Sequence, residues 1–220
     1  MIWFEGDSFA ANHLRTAALK RGLTFARKLE SAHLVFIAQD TPILKDGKRD
    51  LEPIRKLIDE VAGRATGELV LTSQVPPGFT RSLKLDIYHQ AETLRIKDAA
   101  ARALRPEYIC VGCREPDKPL PTVYLNYLQV WNYPLFQVSW EAAEFSKIAV
   151  NMTLASQVEN TNRLVEACKM LSISWPRVAE ILATDSRISR YSYLQPGKWQ
   201  DSPHLLRDSV TLTEILARRS

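Results

Sequence analysis

Lys147 and Asn151 stand four residues apart, a spacing that on a helix puts an ammonium group and a carboxamide on one face, one turn from each other. Such a pair can hold a substrate oxygen and a water, with the lysine as acid or base. Farther along come Asp201, Ser202, His204 and Asp208, an imidazole with carboxylates on either side that could orient it. Ser202 and His204 lie only two apart, which is poor geometry for a nucleophile and its base unless the loop folds back. A different chemistry is offered by Gly6-Asp7-Ser8-Phe9-Ala10-Ala11, between an apolar run and a helical repeat. Glycines in such a turn let a pyrophosphate rest on the helix N-terminus, where side chains would collide with it. Cys110 and Cys113 form a C-x-x-C, but with neither a second pair nor a histidine partner they read as two buried thiols in a strand. His13, His33 and His89 share no metal-ligand spacing and are expected at the surface or partly buried, so no metal is expected.

The chain that must position these groups has 220 residues, 45% of them hydrophobic and 25% charged, the composition of a folded domain. Its net charge of +4 is spread evenly along the sequence, which argues against a nucleic-acid partner. No apolar run approaches the ~18 residues of a membrane span. The opening MIWFEGDSFAAN is too short and too acidic for a signal peptide, so the expected location is the cytoplasm. Eight glycines in 220 residues is roughly half the ~7% of average proteins, so few loops can bring backbone close to a phosphate.

Strands alternate with helices in the first part. Ile2-Trp3-Phe4 is a short strand, and Leu14, Ala17, Ala18 and Leu19 repeat at helical spacing up to Gly22. Leu34 to Ala38 is an unbroken apolar run of the parallel-sheet kind. A helix is expected over 51–62, a strand over 69–72, a helix over 91–104 and a strand over 108–111. The aromatic stretch from Tyr124 to Trp140 reads as core or as a dimer face, with a stacking platform as the alternative. From Trp140 the apolar residues fall on one face of a helix that runs to about 171, followed by helices over 176–183 and 204–219. The expected architecture is therefore α/β: a trimmed parallel-sheet domain over 1–138, then an all-α domain over 139–220 built on a long helix.

Several landmarks occur in an order that resembles the UDP-glucose/GDP-mannose dehydrogenase family. They are Ala32-His33-Leu34-Val35-Phe36-Ile37-Ala38 with Thr41-Pro42 and Asp46-Gly47; Ser73-Gln74-Val75-Pro76-Pro77-Gly78; and Pro106-Glu107-Tyr108 with Gly112. Glu144-x-x-Lys147-x-x-x-Asn151, Asp185-Ser186-Arg187-Ile188, and Pro196-Gly197 through Asp208 complete the series. The resemblance implies a Rossmann domain, a helical domain that dimerises and a third, sugar-nucleotide domain that the sequence does not reach. It also implies oxidation of a sugar alcohol to a carboxylate with two molecules of NAD and a cysteine-bound intermediate. Carried over position by position, it implies a cofactor site at Gly6, Ser8, Ala11, Thr41, Pro42, Ser73 and Gln74. The catalytic positions it implies are Lys147, Asn151, Asp208 and, where the nucleophile stands, His204.

The departures are specific. Ser8 and Ala11 replace two glycines of the phosphate loop, and Asp7 sets a carboxylate beside the diphosphate's place. Only eleven residues separate Gly22 from Leu34, too few for a second strand and helix, and no carboxylate comes before Glu30. Arg27 and Lys28 would suit a 2′-phosphate, although a solvated basic edge is simpler. The family's catalytic glutamate falls at Val111. The expectation is a degenerate relative, with NAD or NADP binding weak or lost, acting as a binding or scaffolding protein. Its partner would be a second copy through the 140–171 helix, or an intact dehydrogenase. The alternative is a single CH–OH oxidation with Lys147 as acid/base, against the plainer reading of Lys147 as a structural residue capped by Glu144. A different chemistry built on His204 comes last.

Overall fold

The short apolar run at the N-terminus becomes β1 (Ile2–Glu5), and Leu34–Ile37, buried at every position, becomes β2 between two neighbours. In the computed structural model, which describes residues 1–189 and 191–218, these strands join β3 (Glu68–Leu71), β4 (Ile87–Gln90), β5 (Ile109–Cys113) and β6 (Leu135–Ser139) in one sheet. The sheet follows sequence order from β1 to β6, and every pairing is parallel except β4 with β5. Period-two alternation sends Leu34 and Phe36 to one face and Val35 and Ile37 to the other. The first face packs on α1 (Phe9–Lys20), α4 (Ala99–Leu104) and α5 (Thr122–Gln129), with Phe4 and Phe36 stacked 4.7 Å apart. The second packs on α2 (Glu52–Ala62) and the short α3 (Phe79–Ser82). Both faces of the sheet are covered, as a parallel sheet requires.

Three local expectations need correction. Residues 91–104 are not one helix: only Ala99–Leu104 is α-helical, while Glu92 folds its carboxylate onto the Leu94 N–H and holds 91–95 as a loop. β4, β6 and α5 were not foreseen, because β4 alternates with polar residues and Pro134 precedes the outer strand. His89 is neither exposed nor half-exposed; it sits in β4 at 2% exposure, opposite Gly112. The aromatic stretch does pack as core, with Tyr124, Tyr127, Trp131 and Trp140 all buried.

The chain divides into two units: Met1–Leu44 with Arg49–Lys147, and Lys45–Lys48 with the chain from Ile148 on. The second is helical, with the later part of α6 (Trp140–Met170), then α7 (Trp175–Thr184) and α8 (Pro203–Ala217). The expected end of the last helix at 219 lies outside the described residues. Polar side chains of α6 hold the loop before α8: Asn162 exchanges two hydrogen bonds with the Gly197 backbone (2.7 and 3.0 Å), and Thr161 donates to the Tyr193 carbonyl (2.8 Å).

Candidate functional site

The carboxyl ends of β1 to β4 converge on the loops that carry the expected cofactor residues. Gly6, at φ +99°, is obligatory, because a Cβ there would lie 2.5 Å from the Ala38 carbonyl oxygen. Ser8 is buried and caps α1, its Oγ accepting from the Ala11 N–H at 3.0 Å, while Ala11 is fully buried beneath it. The exposed Asp7 carboxylate accepts from Asn12 Nδ2 at 3.2 Å. Thr41 donates to the Gln74 carbonyl (3.0 Å), and Ser73 Oγ accepts from the Gln39 N–H (2.8 Å). Pro42 is exposed, and its carbonyl accepts from Asp50 N–H at 2.8 Å. Thr41 and Ser73 thus tie the loops after β2 and β3 to each other.

In the same unit, Lys147 reaches the loop after β4, where its Nζ donates to the Leu94 carbonyl at 3.4 Å. Glu144 does not cap it. The Glu144 carboxylate instead accepts from the N–H groups of Gly78 (2.6 Å) and Thr80 (2.7 Å), at the start of α3. Burial pushes the Glu144 carboxyl above its usual range, against the pull of those donors. Glu92, which the sequence reading passed over, lies in this loop and lines a cavity of about 40 Å³ together with Thr72, Gln90, Leu94, Arg102 and Trp131. The signal for it was the polar strand end Tyr88-His89-Gln90 just before it, whereas the helix expected over 91–104 took in Glu92 itself.

Of the stretch from Pro106 to Gly112, Pro106, Tyr108 and Ile109 line the same cavity. Glu107 is exposed and pairs with Arg102 at 2.6 Å, Val111 is fully buried in the sheet, and Gly112 packs under α6. A carboxylate at position 111 would point into the core. Cys110 and Cys113 are both buried in β5, and three residues apart on a strand they face opposite sides of the sheet. Burial raises both thiols. Among the described residues no group of three His, Cys, Asp or Glu is arranged to hold a metal ion.

In the second unit, Asn151 and Asp208 meet. Asn151 Nδ2 donates to Asp208 Oδ2 at 2.6 Å, and Arg207 Nε lies 3.6 Å from Asp208 Oδ1. All three side chains are buried, Asp208 completely. His204 is exposed on the first turn of α8.

Residues 141–218 match the family model described as the UDP-glucose/GDP-mannose dehydrogenase family, central domain. The chain is a relative of the nucleotide-sugar dehydrogenases. UDP-glucose 6-dehydrogenase TuaD of Bacillus subtilis is 24% identical over 215 residues, which is 90% of this chain and 46% of that protein. An uncharacterized protein of Methanocaldococcus jannaschii is 25% identical over 198 residues, 81% of this chain and 22% of the other. This relative therefore spans less than half the length of those two proteins. Among solved structures, a UDP-glucose dehydrogenase from the archaeon Pyrobaculum islandicum superposes with a TM-score of 0.67 at 21% identity, covering 99% of this chain and 63% of that one. That likeness bears out the fold, a Rossmann-like sheet followed by helices built on one long helix.

The family is NAD-dependent, and the loops of this relative fit that cofactor poorly. Ser8 Oγ holds the Ala11 N–H that a bound phosphate would need. A carboxylate stands beside the turn at Asp7.

Proposed function

We propose that this relative does not carry a sugar alcohol through to an acid and acts instead by assembly. The observation that carries this reading is the state of the thiols. Oxidation of the aldehyde in this family runs through a cysteine-bound intermediate. All three cysteines of this chain are buried, two in β5 and Cys168 on α6, and the nucleophile's position is His204. An imidazole does not form the thiohemiacetal from which hydride leaves.

The assembly reading is supported by how little the helical unit buries. Its buried apolar side chains among the described residues are Ile148, Ala155 and Cys168. Met170 (82% exposed), Leu171 (69%) and Ile181 (70%) face outward, and α7 buries no residue. Covering such a face is worth roughly 25 cal/mol per Å² of apolar surface. The occupant proposed is a second copy of the chain meeting it through α6, with an intact dehydrogenase as the other candidate. No helix among the described residues is long and apolar enough to cross a membrane, and a cytoplasmic location belongs to the same reading.

The alternative, a single oxidation with Lys147 as acid/base, needs a seated dinucleotide, and no observation favours it over assembly. The test has two parts. Light scattering on the purified chain should give a dimer mass, and a monomer at tens of micromolar would refute assembly. Incubation with UDP-glucose or GDP-mannose and NAD should yield no uronic acid by mass spectrometry; acid formation would overturn the reading.

A further inference from the structure

A dinucleotide on a doubly wound sheet lies across the point where the strand order reverses, its two halves resting on strands to either side of the first. Here the named strands run in sequence order from β1 to β6, and after α1 the chain first touches the outer side of β1 and then returns to β2 on its inner side. Among the described residues that outer side carries no named strand, only the parallel bridge between Ile2 and Phe25. That bridge is tight: Ile2 N–H donates to the Thr24 carbonyl and Ala26 N–H to the Ile2 carbonyl, both at 2.9 Å. In a parallel strand alternate residues offer both backbone groups to the same side, so Phe4 is the next to face the open edge. Its carbonyl is taken by the Arg15 guanidinium at 3.1 Å. Of the groups facing this edge, both of Ile2's and the carbonyl of Phe4 are therefore already taken.

The segment that closes the edge is anchored on both faces. Leu23 and Phe25 pack with the α1 side, where Phe25 stacks on Phe4 at 6.1 Å, while Ala26, Leu29 and Ala32 are buried on the α2 side. Moving it aside would expose apolar surface on both faces of the sheet. Against this edge, the turn at Gly6 presents the capped Ser8 and the Asp7 carboxylate.

We infer that residues 23–32 have exchanged the adenosine seat of a dinucleotide site for a cap on the β1 edge, so that this chain does not hold NAD or NADP. The cap, more than the chemistry of the turn, does the excluding: the turn obstructs the diphosphate, whereas the cap leaves the adenine and its ribose only a single bridged residue, whose continuation through Ala26, Leu29 and Ala32 is buried on the α2 side. This inference rests on the sheet alone and is independent of the assembly reading.

The test is titration calorimetry and saturation-transfer NMR on the full chain with NAD⁺, NADH, NADP⁺, NADPH and AMP. No heat and no saturation of adenine protons is expected up to millimolar ligand. A micromolar dissociation constant with adenine saturation would overturn the inference, and if no uronic acid formed the assembly reading would still stand. The double variant Asp7→Asn, Ser8→Gly removes both obstacles of the turn and keeps the cap. It too should stay unbound, and micromolar binding by it would show that the turn, not the cap, was excluding the cofactor. Asp7→Asn alone, a change to an exposed side chain, serves if Ser8→Gly lowers the unfolding midpoint too far.

Discussion

Lowering the pH from 7 to 4 puts a specific load on His89. The ring lies in the middle of the sheet at 2% exposure, with its Nδ1 lacking a hydrogen-bond partner. Burial alone drives its pKa from 6.5 down to about 4. The folded-state value is depressed, so between pH 6.5 and 4 the unfolded chain binds a proton that the folded chain refuses. Stability therefore falls as pH falls through that window and is fully present only above it. For one site with these two values, the loss is about 2 kcal/mol at pH 5 and about 3 kcal/mol at pH 4. Urea unfolding at fixed protein concentration, at pH 7, 6, 5 and 4.5, measures it, with His89→Gln as the control that removes the titration but leaves other groups in place. The difference between the two proteins should grow steadily toward acid. Parallel pH profiles, or a His89 ring that titrates by NMR near 6.5, would refute the reasoning.

Other outcomes follow from buried groups elsewhere. Asn151→Ala leaves the fully buried Asp208 carboxylate short of its 2.6 Å donor and should lower stability by about 2–3 kcal/mol in chemical denaturation. Asp208→Asn should be milder, and an unchanged midpoint for Asn151→Ala would mean the pair carries no load. Gly112→Ala would set a Cβ 2.7 Å from the Ala143 Cβ and 3.0 Å from the Trp140 Cα, an overpacking of about 1–3 kcal/mol visible as a lower melting temperature. Ellman's reagent should leave Cys110, Cys113 and Cys168 unreacted on a timescale of minutes in the native chain and label them all in denaturant. Rapid labelling of the native chain would undo the argument from the buried thiols.

Local pattern was enough for the elements that need no partner to be recognised. The four apolar residues of β2 could only be a buried strand, and the apolar stripe over Phe145, Ile148, Met152 and Ala155 reads directly as the long α6. The departures of the turn at Gly6 and the shortness of the 22–34 segment were also visible, because both are matters of residue type and count. What was not legible was pairing. Gln90 and His89 look like loop or helix residues until Tyr124 donates to Gln90 Oε1 at 3.0 Å and β5 covers His89. Glu144, three residues before Lys147 on one helix, reads as a partner for it, yet its carboxylate accepts from N–H groups more than sixty residues away.

Residue types and local periodicity thus determined the class of fold and the long helix. Tertiary structure decided the rest: that the named strands lie in sequence order with Phe25 bridged to the outer side of β1, that Val111 and Gly112 are core, and that Asp208 meets Asn151 in the interior. The physical reason is that hydrogen-bond partners and burial are set by strand order and helix docking, and those depend on contacts far apart in sequence.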